Sequence, residues 1–159
     1  MRRYTHAQLS FTSFTAPLTG NDRFEELQEI DRILDAIPNL VERVYTDLVQ
    51  GIDPSRGREA LASEQVLRTL IVKQANDYTY EDLEFYLADS PTYRWFCRLD
   101  CNQCSKKSSM QRAIKRLSPE TLEAINQDVV RYALEQGIEN ARKVGTDCTG
   151  VEAMIHEPG

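Results

Sequence analysis

No stretch of this chain approaches the ~18 consecutive apolar residues that a membrane-spanning helix needs. The first twenty residues open on Arg2 and Arg3 but then mix Thr, Ser, Gln and isolated aromatics, without the apolar run of a signal peptide. Cytoplasmic location with no membrane contact is therefore the expectation. Cysteine is scarce, four in 159 residues, and without an export signal so few thiols point to free cysteines rather than a disulfide framework. No internal repeat is present, which removes solenoids and propellers. Base is in deficit as well: 19 Lys and Arg against 25 Asp and Glu give a net charge of −6. That balance disfavours a polyanion binder over its whole surface but leaves room for a local basic patch.

Three of the cysteines stand close together. Cys97, Cys101 and Cys104 are spaced C-x3-C-x2-C, which resembles the cluster-binding signature of radical SAM enzymes. Gln103 stands where those enzymes usually carry an aromatic, and no glycine-rich cofactor motif accompanies the cysteines. A zinc site would need its fourth ligand from His6, Cys148 or His156, all distant in the chain. Thiols near a helix end are the simpler reading.

What is present is helical periodicity. Asn21 and Asp22 offer N-cap chemistry to a run with Phe24, Leu27, Ile30, Ile33, Leu34 and Ile37 spaced by three and four, ending at Pro38. A second run follows through Leu40, Val41, Val44 and Leu48. Ser63 begins the most apolar helix, with Val66, Leu67, Leu70, Ile71 and Ala75 inward and Glu64, Arg68 and Lys73 on the polar side. Thr79 and Asp82 form a capping-box signature, Ser90-Pro91 restarts the chain, and Ser108 or Ser109 is a candidate cap for the helix through Met110 and Ile114. A last helix from Ser118-Pro119 runs to Gly137, a left-handed stop. Residues 142–156 then change period and read as two short strands around Cys148-Thr149-Gly150.

The expected fold is mainly α. A flexible segment at 1–20 precedes a multi-helix domain at 21–140 with a trihelical, helix-turn-helix-like unit, and a terminal β-hairpin occupies 141–159. Charge is segregated along it. Residues 21–50 carry eight acids against three bases, leaving −5, whereas residues 94–116 carry seven bases against Asp100 alone, leaving +6. Those bases, Arg94, Arg98, Lys106, Lys107, Arg112, Lys115 and Arg116, are the candidate phosphate-contacting set.

The strand pair carries the most specific pattern. Its segment Lys143-Val144-Gly145-Thr146-Asp147-Cys148-Thr149-Gly150-Val151-Glu152-Ala153-Met154-Ile155-His156-Glu157-Pro158 resembles the start of the catalytic domain of DDE-type insertion-sequence transposases. There a strand delivers the first catalytic aspartate in the pattern D-x-T-x-V-E-x-x-I-x-x-P. Upstream, Tyr78-Thr79-Tyr80-Glu81-Asp82-Leu83, Tyr93-Arg94-Trp95-Phe96 and Ser108-Ser109-Met110 fall in the order of that family's helical N-terminal domain. The resemblance spans residues 59–158. It implies an RNase H-like sheet in which Asp147 is the first acid of a metal-binding triad, with Thr149 beside it and Glu152 and His156 supporting or near DNA. Phosphodiester displacement by two Mg²⁺ ions ~3.5–4 Å apart explains the need for hard carboxylate ligands. Apart from the family pattern, Asp147 also fits an ordinary turn aspartate.

The resulting expectation is the N-terminal part of an insertion-sequence transposase that binds the transposon's terminal repeats, associated with itself or with full-length transposase. Two alternatives stand beside it: a DNA-binding or inhibitory module in its own right, and a helical interaction scaffold that docks a partner on the acidic 21–50 pair. The second Asp and final Glu of the triad have no counterpart here, so this reads as a truncated product that does not cleave or join DNA alone. Metal-dependent nicking by the purified 159-residue chain, abolished by Asp147→Ala, is the result that contradicts this expectation.

Overall fold

The computed structural model describes residues 22–53, 55, 60–100 and 102–137. Seven helices order them: α1 (Asp22–Ala36), α2 (Asn39–Val49), α3 (Ser63–Asn76), α4 (Tyr80–Asp89), α5 (Pro91–Phe96), α6 (Lys107–Lys115) and α7 (Pro119–Gln136). Among the described residues there is no strand, and no helix is long and apolar enough to cross a membrane. The expected strand pair at 142–156 and the segment at 1–20 lie outside the described residues.

Most helix limits follow from local chemistry. Thr79 and Asp82 cap α4 reciprocally, each side chain accepting the other's backbone N–H at 3.1 Å. Ser90 and Ser118 cap α5 and α7, each followed by Pro at the first helical position. Gly137 closes α7 in the left-handed region, φ +66°. The start of α6 departs from expectation. Its N-cap is Lys106 rather than Ser108 or Ser109, because the Glu84 carboxylate of α4 accepts the Lys107 N–H. An acid from another helix thus caps this end, and both serines fall exposed in the first turn.

Helix α3 is the axis of the domain. It packs against α2, α4 and α6, while α7 closes against α1 and α2 and α5 lies between α1 and α4. Every residue from Ser63 to Val72 is buried, so α3 has no solvent face along those turns. This corrects the expectation of a polar side at Glu64 and Arg68. Lys73 is half-buried, its ammonium 4.8 Å from the Tyr80 ring centre.

Arg68, 1% exposed, is tolerated because its guanidinium is fully paired. Its Nη1 donates to Asp31 Oδ1 at 2.5 Å and to the Phe96 carbonyl at 3.1 Å. Its Nη2 donates to Asp35 Oδ1 at 3.0 Å and Nε to Glu64 Oε1 at 3.3 Å. The Phe96 ring lies 5.2 Å from the guanidinium carbon. One side chain of α3 is thereby bonded to α1 and to the end of α5. Replacing it by Met keeps much of the volume but leaves Asp31, Asp35 and Glu64 with the Arg98 guanidinium alone, and is expected to cost about 3 kcal/mol, the low end for a broken buried pair, read as the shift in a urea unfolding curve.

Candidate nucleic-acid interface

The seven candidate bases divide by where their charge goes. Arg94 turns inward: Nη1 donates to the Leu87 carbonyl at 3.0 Å, and Nη2 to the carbonyls of Gln103, at 3.0 Å, and Asp100. It serves as the polar anchor of the loop between α5 and α6. The same loop is held by Gln103, whose side-chain oxygen accepts from Gln65 Nε2 at 3.0 Å and from the Asp100 N–H at 3.2 Å. Gln65 Nε2 also donates to the Arg98 carbonyl at 2.8 Å.

Arg98 joins the cage around Arg68. Its Nη2 donates to Asp35 Oδ1 and Oδ2 at 3.0 and 3.1 Å and to Asp31 Oδ1 at 3.3 Å. Its Nε forms an ion pair with Glu64 Oε1 at 2.8 Å without hydrogen-bond alignment. Two guanidiniums thus share three carboxylates. Arg98 occupies the left-handed region, φ +56°, one residue past the Cys97 cap of α5. The Leu99 N–H returns to the Arg94 carbonyl at 3.0 Å and the Arg98 N–H to that of Trp95 at 3.1 Å. Glycine is the usual occupant of such a helix stop; here the side chain is needed for the ion pairs.

The remaining five bases are exposed. Lys107 pairs with Glu81 at 2.8 Å, which with Glu84 nearby raises its pKa above the ordinary lysine value. Arg116 Nη2 donates to the Gln50 carbonyl at 2.6 Å. Arg112 makes a 3.4 Å bond to Ser108 O within its own helix, which leaves its charge unopposed. Among the described residues Lys106, Arg112 and Lys115 enter no ion pair with a carboxylate. Helix α6 buries Met110 and Ala113, and at 100° per residue the opposite side carries Ser108, Arg112 and Lys115 at i, i+4 and i+7. The helix contains no acid.

The acidic 21–50 pair is also partly consumed inside. Asp31 and Asp35 neutralise Arg68 and Arg98, and Asp47 Oδ2 accepts the Ser118 N–H at 2.8 Å. Of the clustered cysteines, Cys104 is exposed, while burial pushes the Cys97 thiol up to about 12, partly offset by the Thr69 hydroxyl and by Arg68 and Arg94. Cys101, and with it Asp147, Thr149, Glu152 and His156, lie outside the described residues.

The described chain is thus a helical domain with one acid-free basic helix turned outward. A family profile, Transposase domain (DUF772), matches residues 19–116. That is more than half of the chain, and the chain belongs to this transposase-domain family. Comparison with curated proteins and with solved structures gives no match.

The division of the arginines predicts a division of phenotypes. Arg94→Gln leaves buried carbonyls short of donors and is expected to destabilise the domain by about 1–3 kcal/mol. Arg112→Gln is expected to leave the thermal midpoint unchanged. Parallel calorimetric melts check both.

Proposed function

We propose that this chain is the DNA-engaging helical part of an insertion-sequence transposase and that it grips the duplex backbone through the outer face of α6. The observation that carries this reading is the stripe of Ser108, Arg112 and Lys115, free of acid along its helix, in a chain of the transposase-domain family. Lys106 extends the stripe at the helix start, and Lys107 and Arg116 flank it. Surface Lys and Arg gain affinity by releasing counterions condensed on the duplex, and serine hydroxyls donate to phosphate oxygens. Arg94 and Arg98 stand outside this surface and support it through the loop that carries α6.

Helix α6, rather than the six-residue α5, is the DNA-facing helix in this proposal, and the duplex is the terminal repeat of the element. On the D-x-T-x-V-E pattern alone, Asp147 is in the same proposal a carboxylate ligand for Mg²⁺, with Thr149 beside it and Glu152 and His156 in supporting or DNA-proximal roles. Mg²⁺ would activate the attacking hydroxyl in strand transfer.

Duplex binding should weaken with salt along a straight log–log line. Changing Lys106, Arg112 and Lys115 together to Gln should flatten that line by about 0.9 unit per phosphate contact removed. Absence of binding at low salt, or a slope that the triple change leaves untouched, overturns the assignment. Fluorescence anisotropy with a labelled duplex reads both quantities.

A further inference from the structure

Helices α4 and α6 lie side by side on α3, so their outer faces share the side of the domain away from it. The outer face of α4 is unusual. Phe85 is 61% exposed and Tyr86 37%, in a helix that buries only Leu83 and Leu87. The two exposed rings form a ridge anchored on half-buried Tyr78 and buried Tyr93. Phe85 meets Tyr86 edge-on at 5.2 Å, Tyr86 stacks on Tyr78 at 4.6 Å, and Tyr78 meets Tyr93 edge-on at 6.3 Å. Such pre-ordered aromatics bind at little entropic cost and are the residue types that dominate protein interfaces.

Charge selects the occupant. Helix α4 carries Glu81, Asp82, Glu84 and Asp89 and no base. At 100° per residue Phe85 points away from the buried side, between Glu81, which pairs with Lys107 of its own chain at 2.8 Å, and Asp89, which enters no ion pair among the described residues. A second α4 laid on this ridge would meet its own charges, and duplex DNA would meet the wrong sign. The acid-free stripe of Arg112 and Lys115 on α6 has the matching sign, with alkyl stems to cover an aromatic ring and a guanidinium to stack on its face.

We propose that the α4 ridge docks the α6 stripe of a second copy of this chain. A two-fold axis lying in the surface, between the two helices, turns one copy face to face with the other and sets each α4 over the partner α6. The patch is then self-complementary, as a symmetric dimer requires. Phe85 sits beneath Arg112 of the other copy, flanked by opposite charges. The inference does not depend on DNA binding, because association is measured without nucleic acid. Where α6 also meets duplex, DNA and the second copy compete for it.

Sedimentation velocity on the full 159-residue chain should show a monomer–dimer equilibrium that salt weakens, and Phe85→Ala should weaken it by about tenfold or more. Asp89→Lys in one variant, and Arg112→Glu with Lys115→Glu in another, should each weaken the dimer by about tenfold or more. Their equimolar mixture should dimerise, because both α4–α6 contacts are again opposite in sign. A wild-type chain that stays monomeric at about 1 mM and low salt overturns the proposal. So does a mixture of two folded variants that fails to associate. If circular dichroism shows either charge-reversed variant unfolded, Phe85→Ala decides: an unchanged dimer constant overturns the proposal.

Discussion

The guanidinium of Arg68 inside its cage of carboxylates is the interaction on which the rest of the domain depends. Burying a lone charge costs several kcal/mol, so Arg68 can occupy the middle of α3 only while Asp31, Asp35 and Glu64 surround it. Those acids come from α1 and from α3 itself, and the Phe96 carbonyl and ring bring in the end of α5. Apolar burial along α3 would tolerate several rotations of α1 about its own axis; an arginine with directed N–H groups accepts far fewer. The cage therefore sets register where hydrophobic contact alone does not.

That constraint reaches the candidate DNA surface through Arg98. Sharing the carboxylates with Arg68 holds Arg98 at a left-handed helix stop, and its carbonyl is bonded by Gln65, which also meets Gln103. Gln103 and Asp100 in turn offer their carbonyls to Arg94. The loop entering α6 is thus fastened by two arginines and two glutamines before Glu84 caps the helix. A cationic helix held this firmly presents its charges in a fixed array, which lowers the ordering cost of meeting a phosphate backbone or an acidic helix.

Charge segregation in the sequence has two destinations in the structure. Some of the acid at 21–50 and some of the base at 94–116 neutralise one another across α1, α3 and the end of α5. Of the remaining base, Lys106, Arg112 and Lys115 stay at the surface on or beside α6, next to the acids of α4, which belong to neither segment. A segment total of +6 counts Arg94 and Arg98 with Arg112 and Lys115, although the first pair is spent inside.

The helices and most of their ends are legible in the residues alone, since caps at Thr79, Ser90 and Ser118, prolines at 91 and 119 and the stop at Gly137 act through neighbours within a few residues. Apolar spacing likewise identified Leu40, Val44, Leu48, Val66, Leu67 and Met110 as core, and the residue pattern pointed to the transposase family. Which charges are free depends instead on how the helices pack. Glu64 and Arg68 sit where an amphipathic helix would be wet, and become internal because other helices cover α3 on every side. Glu84 replaces a local cap at α6 from 23 residues away. A side chain's partner at such a separation depends on how helices pack, and no local spacing encodes that.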